Sequence, residues 1–412
     1  MARRIAFYSH DAQGLGHVRR NIELAGALTT VDQNTSALLI SGATAAPGLA
    51  LPPRTELVTI PPIVKEADGS YRPSDPDRSL PETLTARGQA IGTALDRFGP
   101  DLLVVDKHPR GLKGELEPVL TRLQEWRSGT SAPAAVLGLR DILDDPASAA
   151  EHWLSDAADT AVRRWYDQIW VYGDHRILDP GSAYNFAPDV AARIRFTGYL
   201  ARGRGWASPA PRTLSQPYVL GMVGGGQDGA QLAHAFVHAP IPVGHLAALV
   251  TGPYLDPAIS QRLRQVAACR PELILLGSVP QTRSLTQHAS AVVTMGGYNS
   301  VCEVLASGSP GLIVPRTRPR QEQQVRAQLL APHSSLDVML PHRATPDRIG
   351  AWLRVAVQRT HDPCALDLDG LARISAMTDA LLSRAHGSSP PPFQNAPSTP
   401  ASHRTETTHV PA

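Results

Sequence analysis

Short apolar runs of strand length alternate with longer stretches of helical periodicity, and the alternation occurs twice along the chain. In the first half the runs fall at 5–8, 37–40, 57–60, 102–105, 134–139 and 169–172, with helical patterns at 18–28, 80–98, 112–126 and 147–166. The pattern restarts with runs at 218–223, 245–250, 273–276, 291–294 and 311–314, and helices at 229–237, 257–269, 281–288, 300–307 and 321–330. Continuous apolar strands joined by crossover helices belong to parallel sheets covered on both faces. The expected fold class is therefore α/β, with two Rossmann-like doubly wound domains. Ligands of such sheets bind beyond the carboxyl ends of the strands, so two domains of this kind face each other across a cleft.

The divisions follow from composition. Residues 1–200 form the first domain. The stretch 201–214, rich in Gly, Pro and Arg, reads as a linker. Residues 215–360 form the second domain, and 361–386 carry a last helical pattern at 366–385, able to pack back on the first domain. The tail 387–412 mixes six prolines with Ser, Thr and His, buries little apolar surface and is expected to be disordered.

Charge narrows the function. Lys+Arg 39 against Asp+Glu 37 leaves +2, and 18% charged residues lies below the usual ~25%, so no field for nucleic acid is present. The basic residues are almost all arginine, with Lys65, Lys107 and Lys113 the only lysines, which reads as coding bias more than a binding surface. Cys269, Cys302 and Cys364 form no metal or disulfide spacing, and neither a signal segment nor a spanning helix is evident, so a cytoplasmic protein is expected.

The chemistry-bearing residues gather after strands. The first strand ends in Ser9-His10-Asp11-Ala12-Gln13-Gly14-Leu15-Gly16-His17. Gly14 and Gly16 allow close backbone approach and a helix N-terminus receives an anion, but Arg19 stands where a dinucleotide fingerprint needs its third glycine. His17 is a candidate general base, and Asp106, at another strand end, is its rival. In the second domain Val223-Gly224-Gly225-Gly226-Gln227-Asp228 makes a turn of backbone amides suited to phosphate, without a Walker lysine. A third turn, Gly296-Gly297-Tyr298-Asn299-Ser300, opens a helix carrying Glu303, whose two acceptor oxygens suit the vicinal hydroxyls of a ribose. His234/His238, Asp75/Asp77 and Asp367/Asp369 have metal-like spacing in unsuitable contexts, and Cys302 sits among apolar neighbours as a buried thiol; no metal or cofactor is expected.

Residues 295–327 resemble the donor-binding half of the family 28, MurG-like GT-B glycosyltransferases, with the turns at 224–230 and 14–17 in matching order. The segments at 104–116, 139–142 and 197–199 further resemble a bacterial branch of predicted glycosyltransferases. The resemblance implies Gly225, Gly226 and Gln227 at the diphosphate, Ser278 and Val279 at the base, and Gly296, Gly297 and Asn299 at the phosphates. It further implies Glu303 at the ribose, Glu322 and Gln323 at the donor hexose, and His17 toward the acceptor. The first-domain loop departs from the family's Gly-Gly-x-Gly-Gly-His run.

The expected activity is metal-independent transfer of a hexose or N-acetylhexosamine from a nucleotide-diphospho-sugar, UDP-linked by resemblance, to an acceptor hydroxyl, with inversion. The acceptor is a small molecule, a glycan or a lipid-linked sugar, the last through peripheral membrane contact. A UDP-sugar 2-epimerase of the same architecture and a non-catalytic nucleotide-sugar binder are the alternatives.

Overall fold

The computed structural model describes residues 2–11, 14–66, 70–126, 133–204, 214, 216–279, 281–360 and 364–385. The expected tail 387–412 and most of the expected linker, 205–213, lie outside the described residues.

The first half contains β1 (Arg3–Ser9), β2 (Thr35–Ser41), β3 (Thr55–Thr59), a hairpin of β4 (Ile63–Lys65) and β5 (Tyr71–Pro73), β6 (Leu102–Asp106), β7 (Ala134–Arg140), β8 (Gln168–Tyr172) and β9 (Ile194–Phe196). Seven of these form one parallel sheet in the order β3-β2-β1-β6-β7-β8-β9. The second half contains β10 (Tyr218–Met222), β11 (Leu246–Val250), β12 (Leu273–Leu276), β13 (Ala291–Thr294), β14 (Gly311–Ile313) and β15 (Leu336–Val338). Its parallel sheet has the order β12-β11-β10-β13-β14-β15. Both sheets thus grow outward in one direction from their first strand and then reverse, which opens a crevice beside β1/β6 and another beside β10/β13.

The central strands are apolar throughout and almost wholly buried, as two-sided coverage requires. Helix boundaries follow the capping chemistry. Ser79 and Glu82 form a reciprocal capping box at the start of Leu80–Phe98, which Gly99 ends at φ 59°. Two expected helices are interrupted. The pattern at 112–126 becomes helical only at Glu117–Trp126, because Gly111, Lys113 and Gly114 all have positive φ. The pattern at 147–166 splits into Pro146–Ser155 and Ala158–Trp165 at Ala157, whose φ is 47°. Strands β4, β5, β9 and β15, three residues each, escaped the sequence reading, being too short to show a period.

One apolar core face runs through both halves. It joins Phe7, Val104 and Trp170 of the first sheet to Tyr199, Leu200, Leu220, Val292 and Val301, and to Leu371 and Ile374 of the last helix, Gly370–Ala385. That helix packs on the first helix, Gly16–Val31. The expected start of the last helix at 366 is taken by extended chain, with Tyr199 N donating to Asp367 O and Arg202 N to Leu368 O.

Polar contacts set the angle between the halves. Successive residues Arg140 and Asp141, at the end of β7, meet Glu322 and Arg326, one turn apart on the helix Glu322–Leu330. Arg140 donates to Glu322 at 2.9 Å, and Arg326 donates to Asp141 at 2.8–3.0 Å. The Asp141–Arg326 pair is completely enclosed, with 2% and 0% of the side chains exposed.

Candidate active site

The loops following β1, β6, β10 and β13 converge on one cleft of about 990 Å³ between the halves. All four leave the sheets at the two reversal points.

On the first-half side, His17 lies in the opening turn of the helix Gly16–Val31, which has no side-chain cap. Its Nδ1 is 2.8 Å from Asp106 Oδ2 at the end of β6. Asp106 is buried, and Arg20, one turn on from His17, donates to both its oxygens. Burial alone would raise the Asp106 carboxyl, but Arg20 and His17 outweigh it and hold the group well below the usual carboxylate range. Burial also draws the His17 imidazole below its ordinary range, against the upward pull of Asp106. His17 is therefore neutral near pH 7, with Nδ1 committed to Asp106 and Nε2 remaining for a ligand. Asp106, expected as a rival base, stands behind His17 with both oxygens engaged, so the two form a hydrogen-bonded dyad.

Two further imidazoles adjoin it. His10 lies 5.0 Å from the His17 ring and 4.8 Å from that of His108, centroid to centroid. Burial, then His108 and His17, lowers His10, and burial, then Lys107, lowers His108.

On the second-half side the cleft is lined by Gly224, Gly225, Gly226 and Gln227, and by Gly297 at the start of the helix Tyr298–Ser307. Gly226 has φ 97°, and a Cβ there would lie 2.4 Å from the Thr251 carbonyl, so only glycine makes this turn. Gly225 faces Gly14 of the first half closely, 3.9 Å from an added Cβ to the Gly14 Cα. Gly296 (φ 82°) lies just behind, its carbonyl accepting from Arg326 at 3.1 Å. Gly16 opens the His17 helix, its carbonyl accepting from Asn299 Nδ2 at 2.9 Å.

The other expected residues divide between this cleft and its surroundings. Asn299, expected at the phosphates, bridges the halves: besides its bond to Gly16, its Oδ1 accepts from Arg204 at 3.0 Å. Glu322, expected at the hexose, is buried and held by Arg140 and Arg316, which outweigh the upward effect of burial and keep its carboxyl far below the usual range. Gln323 does line the cleft, with Oε1 accepting from Arg316 N at 2.9 Å. Glu303 lines a separate, smaller cleft of about 510 Å³ with Asn299, Gln281 and Thr282, and accepts from Thr282 Oγ1 at 2.7 Å. Ser278 and Val279 occupy the loop beside it, where the Val279 carbonyl accepts from Arg19 at 3.0 Å.

The sequence reading missed the cations. Lys65, Lys107, Arg140, Arg316 and Arg320 all line the main cleft. Two of the three lysines are thus cleft residues. Lys107 and Arg320 also border a side pocket of about 490 Å³ walled by Pro109, Leu143, Ala149 and Trp153. Among the described residues, no group of three His, Cys, Asp or Glu side chains could hold a metal ion, and no helix is long and apolar enough to cross a membrane. Asp367 pairs with Arg373 and Asp369 with Arg202, and Cys302 is a buried free thiol.

Residues 244–364 match the family model of the glycosyltransferase family 28 C-terminal domain. Among solved structures, the glycosyltransferase VinC in complex with dTDP is similar, with TM-score 0.55 and 15% identity over 93% of this chain and 99% of that one. Phytolacca americana UGT2, complexed with UDP-2-fluoroglucose and pterostilbene, gives TM-score 0.55 and 14% identity over 94% of each chain. MurG of Acinetobacter baumannii gives TM-score 0.50 and 12% identity over 93% of this chain and 99% of that one. No curated protein sequence matches the chain. The fold is the two-domain GT-B arrangement expected from the sequence.

Proposed function

We propose that this protein, in which residues 244–364 of the second half match the glycosyltransferase family 28 C-terminal domain, transfers a hexose or N-acetylhexosamine from UDP to an acceptor hydroxyl, without a metal ion and with inversion. The observation that carries the reading is the His17–Asp106 dyad, set across one cleft from the glycine turns of the second half.

The diphosphate rests on the backbone of Gly225, Gly226 and Gln227 and at the helix start at Gly297, where unpaired N–H groups and the helix dipole favour negative charge. The smaller cleft takes the nucleoside, with Glu303 and Thr282 toward the ribose and the 278–279 loop beside the base. The hexose lies by Gln323; Glu322 acts through Arg140 and Arg316, which it fixes. The acceptor enters on the first-half side, where the side pocket opens from the cleft.

The acceptor hydroxyl gives its proton to His17 Nε2 as its oxygen bonds to the anomeric carbon. The bond from that carbon to the phosphate oxygen breaks, and its electron pair leaves with UDP. Asp106 stabilises the imidazolium that forms, a contribution of the order of 10²–10⁴ for base catalysis. Preorganised amides and Arg316 meet the charge developing on the diphosphate. UDP as the nucleotide draws support from the similarity to UGT2 with its UDP-sugar, while VinC holds dTDP, so both belong in the test.

Calorimetry with UDP and dTDP, combined with nucleotide release from the corresponding sugars, tests the proposal. Expected are binding of UDP in preference to dTDP and release of UDP that persists in EDTA. Release abolished by EDTA and restored by manganese would contradict the metal-free mechanism. Isomerisation of the sugar without acceptor would make the protein a 2-epimerase, and tight binding without turnover a sensor.

A further inference from the structure

The cleft carries cations beyond those paired directly with its carboxylates. Of its five cations, Arg140 is paired with Glu322, and Arg316 with Asp228 and Glu322. Among the described residues Lys65, Lys107 and Arg320 form no direct ion pair and no side-chain hydrogen bond, although Glu322 attracts both lysines and Asp144 attracts Lys65 from farther off.

The three unpaired cations belong together. Beyond burial, the charge of Arg320 is the next influence lowering both Lys65 and Lys107, so a single small region holds like charges that a ligand would relieve. Two of them come from the first half and face the glycine turns of the second across the same cleft. Lys65 ends β4 and is held over the Tyr71 ring, its partner on β5, at 5.7 Å. Lys107 directly follows Asp106 of the dyad and has φ 71°, a left-handed conformation that a non-glycine residue adopts only when its surroundings impose it. Its N–H donates to Gly138 O at 2.8 Å, which fixes this turn.

We infer that Lys65, Lys107 and Arg320 form a second anion subsite, which receives an oxyanion, phosphate or carboxylate, carried by the acceptor. The inference rests on the glycosyltransferase reading for the word acceptor, and on the cations alone for the anion site. It narrows the acceptor class from any hydroxyl compound to one bearing negative charge near the reacting hydroxyl.

The test is titration of inorganic phosphate into the protein saturated with UDP, followed by calorimetry. Phosphate is expected to bind in addition to UDP. Lys107→Ala and Arg320→Ala should each weaken phosphate by about tenfold or more, as for loss of a charge-assisted hydrogen bond, while UDP affinity changes by less than about threefold. Lys65→Arg, which keeps the charge, should retain phosphate binding. Phosphate that competes with UDP, or variants that weaken UDP as much as phosphate, would assign these cations to the donor and overturn the inference. If UDP does not bind at all, the donor reading fails, and phosphate titrated into the free protein and the same variants still decides whether the cation site exists.

Discussion

The two halves have the same sheet plan and opposite chemistry at its reversal point. Where β1 and β6 part, the first half places ionisable side chains: His17, Asp106 and Arg20, with His10, Lys107 and His108 around them. Where β10 and β13 part, the second half places glycines, so that backbone amides form the surface. In the proposed reaction one half moves a proton and the other holds phosphate, largely on its backbone. The same crevice therefore supports either task, and the residues after the strands decide which.

This contrast predicts a division of effects. The largest is for His17→Ala: turnover should fall by about 10²–10⁴ with UDP affinity nearly unchanged, measured by UDP release beside calorimetry. Equal losses in both would break the division. Asp106→Ala leaves Arg20 buried without its carboxylate and should cost about 3–5 kcal/mol of stability in denaturant unfolding, in addition to lost activity. A stable but inactive variant would show that Asp106 serves His17 alone. On the other side, Glu303→Ala should weaken UDP by about 1.5–3 kcal/mol in calorimetry, and unchanged affinity would remove the ribose role. The smallest effect is acid sensitivity. His10, His17 and His108 are lowered in the fold, so the unfolded chain, with ordinary values of about 6.5, takes up protons that the folded chain refuses. Stability is then fully present above pH ~6.5 and falls as pH drops below it. A melting temperature flat between pH 7 and 5 would contradict those shifts.

The legible parts of the molecule are those in which function and local conformation coincide. Gly226 and Gly297 had to be glycine-rich turns after apolar strands, and that is visible in one dimension. His17 was visible as the first polar residue of a helix. Its partnership with Asp106 was not, because it depends on β1 and β6 being neighbours across a reversal of strand order. The cations were illegible for the same reason: Lys65, Lys107, Arg140 and Arg320 reach the cleft from four separate segments, each unremarkable alone. Asn299 and Glu322 show the converse case. Both lie where the motif puts them along the chain, but the opposing half supplies a bonding partner that no local pattern announces.

The exchange between Arg140–Asp141 and Glu322–Arg326 carries a consequence for how the halves find each other. Each contributing face holds one charge of each sign, so each is neutral by itself and neither attracts the other from afar. Attraction appears only at contact, and only in one register. A slip that brought Arg140 to Arg326 would also bring Asp141 to Glu322, setting like charges against each other in a dry interface. The arrangement thus acts as a key more than as an adhesive: it selects one rotation of the halves, the one that points His17 at the glycine turns, and rejects its neighbours.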